Sequence, residues 1–513
     1  MSRRSGGRSA RHAMRAAPLA EDIRPIRAGM EGGRYKPLSD DDIAQIHESA
    51  LEILSDIGFK DATEGCITAC TAIGATYKDG RLFFPRDLVL ETIKTANRDF
   101  TLCGRDPKYD IHPQSAKVHF GTAGAAVHIV DVENNEYRES MLQDLYDAAR
   151  IVDKQDNIHF FQRPMVPRDM TSELDMDMNT LYASLSGTQK HVGTSITLVE
   201  NCKPFIEMIY AVAGGEEAFR ARPFVSISAT FVVPPLRFAT EALDVIAEMV
   251  KAGVPVLLLS AGQAGATSPA ALAGSVVQSI AEVLAGLVYI NALAPGHPAI
   301  FGPWPFVSDL RTGAMSGGSG EQSLLIAAVA QMTNHYDLPS GVPAGMTDAK
   351  MPDIQSGYEK GITTVMAGLA GGNIIYEAAG MHGSLLGFSL ESLIIDNDIL
   401  GQSLRCVRGI EVNKDTLSLD TIREVINGPE HFLGQPQTLN LMQKEYIYPK
   451  IGDRSTPKEW EELQKPEMVA KAIAEKRRIL NDYFPSHIPP ELDAELRKNF
   501  NILLPRECML RLH

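Results

Sequence analysis

The chain has 513 residues, 44% of them hydrophobic and 22% charged, with a formal net charge of −15 and a pI of about 5.4. This length exceeds one ordinary domain, and the acidic balance argues against nucleic acid as a partner, because phosphate binding requires a basic face. Six scattered cysteines form no disulfide framework and favour a cytoplasmic location, and no apolar run approaches the roughly 20 residues that a membrane span requires.

The chain begins with a basic segment, whose first 15 residues contain no acidic residue. It carries the arginines Arg3, Arg4, Arg8, Arg11 and Arg15. Two adjacent arginines are typical of a twin-arginine export signal, but no apolar segment follows them, so we do not expect export. We predict a basic flexible tail over residues 1–30, and the alternative is a strap that binds an acidic partner or a second subunit.

The first strong secondary-structure signal is a helix over 38–58. Ser39 can cap this helix, Asp42 occupies the third helical position, and apolar residues follow at helical spacing until Gly58. A small α/β pattern comes next. We therefore predict that residues 31–115 form an N-terminal cap.

From residue 118 onward, short apolar or small-residue runs recur, and each is followed by a longer helical pattern. Eight runs are predicted as strands: 118–124, 158–165, 190–196, 224–231, 254–261, 299–305, 338–345 and 373–381. Parallel strands need crossover connections, so eight strand–helix units predict an α/β fold with a (β/α)8 TIM barrel over 116–400. A doubly wound open sheet is the alternative, although no Gly-x-Gly-x-x-Gly turn follows the first strand.

Beyond residue 400 the sequence becomes more charged and remains helical, especially over 457–483 and 489–499. Residues 401–513 are predicted to form a C-terminal helical extension. These helices pack either on the barrel or on a neighbouring subunit, and we expect a homo-oligomer.

The active site of a (β/α)8 barrel lies at the carboxyl ends of its strands, so residues at or just past each strand are candidates. They are Thr122, Arg163, Ser195, Thr230, Ser260, Trp304, Phe306, Met346, Asp348, Tyr376, Glu377 and His382. Stiff aromatic residues in 301–306 (FGPWPF) are suited to a cage for a quaternary ammonium group, held by cation–π attraction. Simple packing of these rings at the barrel top is the alternative.

The segment after the eighth predicted strand contains Tyr376, Glu377, His382 and Phe388. His382 lies in a glycine-rich stretch (GMHGSLLGF) and is predicted to be reachable by solvent or ligand. Its functional roles would be proton handling or hydrogen bonding to a carboxylate, whereas a loop histidine with a backbone partner is the alternative.

The polar stretch 347–360 follows the seventh predicted strand and includes Asp348 and Gln355. It is a candidate wall of a substrate pocket, and a solvated loop is the alternative.

Sequence patterns for a resident metal are absent, since no cysteine–histidine set has zinc-ligand spacing. Asp110-Ile111-His112 begins like the Asp-x-His-x-x-Gly element of corrinoid proteins, but residue 115 is serine and no Rossmann-like half follows. We therefore predict neither a bound metal nor a cobalamin domain within the chain.

Four stretches resemble the trimethylamine methyltransferase family: FGTAGAAVHIVD at 120–131, GTQKHV at 187–192, TDAKMPDIQSGYEKG at 347–361 and HFLGQPQTLNLMQKEYIYPKIGDR at 431–454. The resemblance extends over nearly the whole chain from about residue 35. It implies a barrel enzyme that passes a methyl group from an amine to cobalt(I) on a separate corrinoid protein. Founding members carry pyrrolysine, which the resemblance places between about residues 340 and 360. Every residue here is standard, so the chain resembles the members without pyrrolysine, some of which act on glycine betaine.

A quaternary nitrogen is already cationic, so its methyl group can be attacked without a covalent activator, provided that the enzyme orients and desolvates the substrate. We therefore predict methyl transfer from glycine betaine or a similar quaternary amine to cobalt(I). The predicted catalytic residues are His382, at the carboxylate end of the substrate, and Glu377. The predicted substrate-binding residues are Trp304, Phe306, Tyr376, Phe388, Asp348 and Gln355.

Two other functions remain open from the residues alone. One is a barrel lyase or hydrolase that uses Asp348, Glu377 and His382 as acid–base groups. The other is a non-catalytic betaine-binding or scaffold subunit.

Overall fold

The computed structural model describes residues 19–428, 430–485 and 487–510. The five arginines of the predicted basic tail lie outside the described residues. The part of that segment which is described includes the edge strand Met30–Glu31, which pairs antiparallel with Lys117 and Val118.

Eight short strands at the centre of the molecule correspond to the eight predicted runs. They are β1 (Lys117–Phe120), β2 (Phe161–Gln162), β3 (Val192–Thr194), β4 (Val225–Thr230), β5 (Val256–Ser260), β6 (Ala299–Pro303), β7 (Gly341–Pro343) and β8 (Ile374–Tyr376). Each is shorter than its predicted run, because hydrogen-bonded pairing stops where the chain turns into the following loop.

Parallel pairing connects these strands in two groups. Strands β2, β3, β4, β5 and β6 pair in that order, as do β1, β8 and β7. Two isolated parallel bridges lie between the groups, one from Gly121 to Phe160 and the other from Phe301 to Ser340. The carboxyl ends of all eight strands therefore point in one direction.

A long helix follows each central strand before the next strand begins. These helices are α1 (Leu142–Asp153), α2 (Glu173–Gly187), α3 (Cys202–Ala213), α4 (Thr240–Ala252), α5 (Leu272–Leu293), α6 (Gly320–His335), α7 (Ile354–Ala370) and α8 (Leu390–Arg408). Ser268 followed by Pro269, a residue favoured in the first helical turn, predicts that α5 begins at Pro269, whereas the helix begins at Leu272. A turn in which Ala266, Thr267 and Ser268 all donate to the carbonyl of Gln263 precedes the helix.

Among the described residues, α5 is long and apolar enough to span a membrane, but most of it is buried inside the protein. Continuous apolar sequence on all sides of a helix is also what a core helix requires.

The remaining described elements lie outside this alternation of central strands and helices. The helices are Asp40–Glu52, Glu64–Ala72, Arg86–Thr95, Glu216–Ala221, Leu419–Ile426, Pro436–Leu441, Pro457–Glu462, Met468–Asp482 and Pro490–Asn499, with single helical turns at Glu21–Ile23, Ile53–Ile57, Pro107–Tyr109, Val199–Asn201 and Arg506–Met509. Besides Met30–Glu31, the short strands are Phe59–Lys60, Thr76–Lys78, Arg81–Phe83, His128–Asp131, Glu136–Glu139, Val232–Val233, Arg237–Phe238, Gln263–Ala264, Phe306–Val307, Met381–His382 and Gly387–Phe388.

The first long helix begins as the sequence predicts. The Ser39 hydroxyl accepts from the Asp42 N–H at 3.2 Å, and the Asp42 carboxylate accepts from the Ser39 N–H at 2.9 Å. These reciprocal bonds satisfy two backbone donors that a helix leaves unpaired at its start. At the other end, Gly58 has a φ of +66°, a conformation that glycine adopts without steric penalty.

The N-terminal and C-terminal segments both pack on the central strands and helices. Phe59 of the N-terminal segment stacks near Phe238, which lies in the loop after β4, at a ring distance of 5.2 Å. At the other end, Lys476 in the helix Met468–Asp482 forms a largely buried ion pair with Glu391 of α8. Helix α8 itself runs through residue 400, so it is continuous across the predicted boundary between barrel and extension.

Candidate functional site

A cavity of about 210 Å³ lies where the central strands end. Its lining includes Gln162, Arg163, Ser228, Trp304, Phe306 and Glu377. Protein sites for drug-sized ligands usually have volumes of roughly 300–1,000 Å³, so this cavity is suited to a smaller molecule. It lies at the end of the strands where catalytic residues of parallel α/β folds are usually found.

Aromatic rings form one wall of the cavity. The Trp304 ring is 6.2 Å from Phe306 and 5.5 Å from Tyr376, and its Nε1–H donates to the Gly341 carbonyl at 2.9 Å. That hydrogen bond fixes the orientation of the indole. Trp304 and Phe306, both predicted from the sequence, therefore lie on the cavity, and Tyr376 packs directly behind Trp304.

Glu377 follows β8 and contributes a buried carboxyl group to the cavity. The residue is 2% exposed, and its side chain makes no hydrogen bond or ion pair with any described residue. Burial raises its pKa to about 8. Its φ of +62° is rare for a residue other than glycine and costs on the order of 1–2 kcal/mol. Such a strained and unpaired acid is typical of a functional position.

Arg163 follows β2 and faces the same cavity. Within the described ranges, its side chain forms no hydrogen bond and no ion pair, and Nε is completely shielded from solvent. Burial lowers the pKa of its guanidinium, an effect that the attraction of Asp177 partly offsets. Asp177 itself accepts from Thr197 and Asn201, at 2.8–2.9 Å.

Gln162 and Ser228 provide a polar floor that sequence reasoning missed. The Gln162 side-chain amide donates to the Ser228 hydroxyl at 3.0 Å, across β2 and β4. A glutamine directly after the two phenylalanines of the run IHFFQ is the signal that identifies an inward-facing polar position.

The prediction that His382 is reachable by solvent is wrong. His382 is completely buried, because the short strand Met381–His382 pairs with Gly387–Phe388 and turns the imidazole inward. Its Nε2 lies 2.7 Å from the Ser392 hydroxyl of α8. Burial, together with the nearby cation of Lys360, holds its pKa well below the usual value, so the ring is neutral. His382 is not part of the cavity lining.

Phe388, another predicted cage residue, is also fully buried away from the cavity lining. It packs tightly on Gly380, where a Cβ atom would lie only 2.2 Å from the Phe388 ring.

Asp348 and Gln355 hold loops together and do not line the cavity. The Asp348 carboxylate accepts from the Ser316 hydroxyl at 2.8 Å and from the Ser384 hydroxyl at 2.6 Å. Gln355 donates to the Glu359 carboxylate at 2.8 Å within α7. Residues 354–360 of the predicted polar wall therefore belong to helix α7. Residues 347–353 form a loop that hydrogen bonds tie to neighbouring loops.

Asp348, Glu377 and His382, the acid–base groups of the alternative lyase or hydrolase function, do not line one cavity. Glu377 lines it, whereas Asp348 is saturated by loop donors and His382 is buried against α8. Over the described part of the chain, no group of three or more His, Cys, Asp or Glu residues is placed to hold a metal ion. In the segment that begins like a corrinoid element, Asp110 pairs with Arg222 at 2.8 Å and His112 with Thr101 at 3.0 Å.

Comparison with known proteins decides the family. Residues 4–502 match the protein family described as Trimethylamine methyltransferase (MTTB). The chain belongs to the trimethylamine methyltransferase family. It is therefore a methyltransferase, as the four resembling stretches imply.

Relatives within this family have different named substrates. A trimethylamine methyltransferase of Desulfitobacterium hafniense is 32% identical over 474 residues, which cover 92% of this chain and 94% of the relative. A glycine betaine methyltransferase of the same species is 30% identical over 465 residues, covering 90% and 96%. The trimethylamine methyltransferase of Methanosarcina thermophila is 31% identical over 478 residues, covering 92% and 97%.

The solved monomethylamine methyltransferase of Methanosarcina barkeri is similar in fold. It superposes with a TM-score of 0.50 at 12% sequence identity, over 91% of this chain and 90% of that structure. At this identity the likeness bears on the fold alone.

Proposed function

We propose that this methyltransferase takes a methyl group from a zwitterionic quaternary amine, glycine betaine or a close analogue, and transfers it to cobalt(I) of a separate corrinoid protein. One observation carries the choice of substrate. Arg163 and Glu377 face the same small cavity with opposite charge character, and neither side chain forms a hydrogen bond or a contact ion pair with a described residue, although Asp177 attracts the Arg163 guanidinium from beyond contact distance.

Unpaired buried polar atoms, here Nε of the partly buried Arg163 and Oε2 of the fully buried Glu377, are costly, so their presence calls for a missing partner. A molecule with a carboxylate and a quaternary ammonium group supplies both. Arg163 would bind the carboxylate through charge-assisted hydrogen bonds. Glu377 in its ionised form and the faces of Trp304 and Phe306 would attract the cation. Arg163 therefore takes the role that the sequence pattern assigns to His382.

The names of the relatives do not select the substrate, because trimethylamine and glycine betaine methyltransferases are about equally similar to this chain. The cavity favours betaine. Trimethylamine has no carboxylate, so it would leave the Arg163 guanidinium unpaired.

The reaction is a displacement at a methyl carbon. The cobalt(I) atom is a substrate that the corrinoid protein presents, and it supplies the electron pair of the new cobalt–carbon bond. As that bond forms, the carbon–nitrogen bond breaks and its electrons remain on nitrogen, which becomes a neutral tertiary amine. The chain fixes both ends of the betaine, so that one methyl group points along the line of attack, and it excludes water from the cation.

We also propose that the eight central strands close into a (β/α)8 barrel. The two bridges at Gly121–Phe160 and Phe301–Ser340 support this, since they lie where the two groups of strands would meet. The six cysteines are all free, which supports a reducing, cytoplasmic location. We expect a homo-oligomer, which sedimentation would test.

A spectroscopic assay tests the function directly. The enzyme is mixed with a reduced corrinoid protein and glycine betaine, choline or trimethylamine, and the methyl-cobalt(III) absorbance is followed. We expect a signal with glycine betaine and much less with the other two. A signal with trimethylamine alone would reject the zwitterion, and silence with all three, beside an active control enzyme, would reject the proposed function.

Trp304 provides a test of the cationic end. Replacing Trp304 with Leu removes the π face but retains an apolar side chain, so affinity for glycine betaine should fall roughly 5–30-fold, equivalent to about 1–2 kcal/mol. Calorimetry should show little change in affinity for 3,3-dimethylbutanoate, the isostere of betaine in which an uncharged carbon replaces the cationic nitrogen. Trp304→Phe is the matched control and should retain most of the affinity. Equal losses for betaine and its isostere would indicate packing rather than cation recognition.

A further inference from the structure

Two adjacent charged residues on α7, Glu359 and Lys360, are almost completely buried, yet neither lines the cavity. They belong to the segment 347–361, one of the four stretches that resemble the family. The Glu359 carboxylate accepts from the Thr347 hydroxyl and from the Asp348 N–H, both in the loop after β7. Lys360 points instead toward α8 and the loop after β8.

The contacts of Lys360 lead directly to the segment that carries Glu377. The Lys360 Nζ atom lies 2.6 Å from Oδ2 of Asp396 on α8, and both side chains are only 2% exposed. The same Oδ2 atom accepts the Gly380 N–H at 2.7 Å. At the inner end of the segment, the Ala378 N–H donates to the Gly121 carbonyl at 2.9 Å. Residues 377–380 are thus held between β1 and an ion pair.

Stability alone is a poor explanation for this ion pair. The desolvation of two charges usually offsets their attraction, so a buried pair adds little net stability compared with apolar residues of the same size. Two apolar side chains would join α7 to α8 equally well, but they could not accept the Gly380 N–H. The left-handed backbone at Glu377 also requires surroundings that impose it.

We propose that Lys360 and Asp396 are positioning residues, which hold the loop after β8 so that the Glu377 carboxyl faces the cavity with no protein partner of its own. Burial raises the pKa of Asp396, and Lys360 opposes this effect by favouring the ionised form. A carboxylate is a stronger acceptor for the Gly380 N–H than a neutral group. Without this contact, residues 377–380 can relax and the carboxyl turns away from the apolar wall. The inference rests on the proposed function in one respect, which is that Glu377 binds a cation.

The test follows the titration of Glu377 itself, which needs no substrate. The infrared band of its protonated carboxyl is assigned by its loss in Glu377→Gln and then followed against pH. Other titratable or charged groups near the segment include Tyr376, whose pKa burial raises, Arg163 on the same cavity lining, and the neutral His382. In the double variant Lys360→Met with Asp396→Leu, we expect the midpoint to fall by about one pH unit or more, because the carboxyl regains solvent or a partner.

Two further variants make the result specific. Lys360→Met with Asp396→Asn keeps a neutral acceptor for Gly380, so the midpoint should shift in the same direction but by less. Lys476→Met with Glu391→Gln removes another largely buried ion pair of α8 that does not contact residues 377–380. This control should leave the midpoint unchanged.

If the double variant Lys360→Met with Asp396→Leu folds and the titration midpoint of Glu377 is unchanged, the proposal is overturned. If that variant does not fold, the Asn-containing variant decides, and an unchanged midpoint there would overturn it too. A wild-type enzyme that transfers no methyl group would reject the proposed function, whereas the infrared result would still judge the positioning role separately.

Discussion

Replacing Arg163 with Met should lower kcat/KM for glycine betaine at least about 100-fold while leaving the folded protein no less stable than the wild type. A charge-assisted hydrogen bond contributes about 1.5–3 kcal/mol, and a bidentate guanidinium–carboxylate pair more, so a loss near 3 kcal/mol corresponds to about 100-fold. The stability expectation has a different origin. Arg163 forms no hydrogen bond or contact ion pair with a described residue, so its removal eliminates a desolvation cost; it loses only the longer-range attraction of Asp177, which Thr197 and Asn201 still hydrogen-bond.

Methyl-cobalt formation and a thermal melt measure the two parts of this prediction. Choline is the matched control substrate, since it has the cation but no carboxylate, and its slower turnover should hardly change. The wild-type preference for betaine over choline should therefore collapse in Arg163→Met. A marked fall in melting temperature, or equal losses for betaine and choline, would show that Arg163 supports the fold and does not bind the carboxylate.

The affinity for glycine betaine should rise with pH until about pH 8 and then level off. Burial raises the pKa of Glu377 to about 8, so the carboxyl is mostly protonated at neutral pH. The cation binds the ionised form, and binding below pH 8 must therefore release a proton. Linkage then predicts an increase of about tenfold in affinity per pH unit from pH 6 to 8.

Replacing Glu377 with Gln should make this profile flat. At pH 8.5 the variant should bind betaine roughly 150–800-fold more weakly, since two charges 4–5 Å apart at an effective dielectric constant near 20 attract by about 3–4 kcal/mol. Calorimetry in buffers of different ionisation enthalpy measures the released proton directly, and 3,3-dimethylbutanoate should release none. A wild-type affinity that is independent of pH would contradict the role of Glu377.

Local patterns in the sequence predict much of the fold. Eight apolar runs separated by helical stretches correspond to β1–β8, and the Ser39–Asp42 capping box begins its helix where the spacing indicates. The same rule that places active sites at the carboxyl ends of strands selects Trp304, Phe306 and Glu377. The strand and capping predictions succeed because strand spacing and capping are properties of neighbouring residues. The strand-end rule selects three residues that line the cavity, and their functional roles stay predictions.

Burial of individual side chains follows less directly from such patterns. His382 lies among glycines, which are typical of an exposed loop, but the pairing of Met381–His382 with Gly387–Phe388 turns it inward against α8. Asp348 and Gln355 have the polarity of a pocket wall, yet their partners are loop hydroxyls and a neighbouring helix side chain. The polarity of a residue does not reveal which group will become its hydrogen-bond partner in the folded protein.

The sequence by itself determined the family, the α/β class and the end of the strands at which chemistry is expected. Only the tertiary structure decided that Arg163 and Glu377, more than 200 residues apart in the chain, face one cavity without a hydrogen bond or contact ion pair to any described residue, while Lys360 and Asp396 neutralise each other nearby. The physical reason is that electrostatic pairing depends on distances of a few ångströms in space. Those distances are set when separate strand ends converge, and no local pattern of residues encodes them.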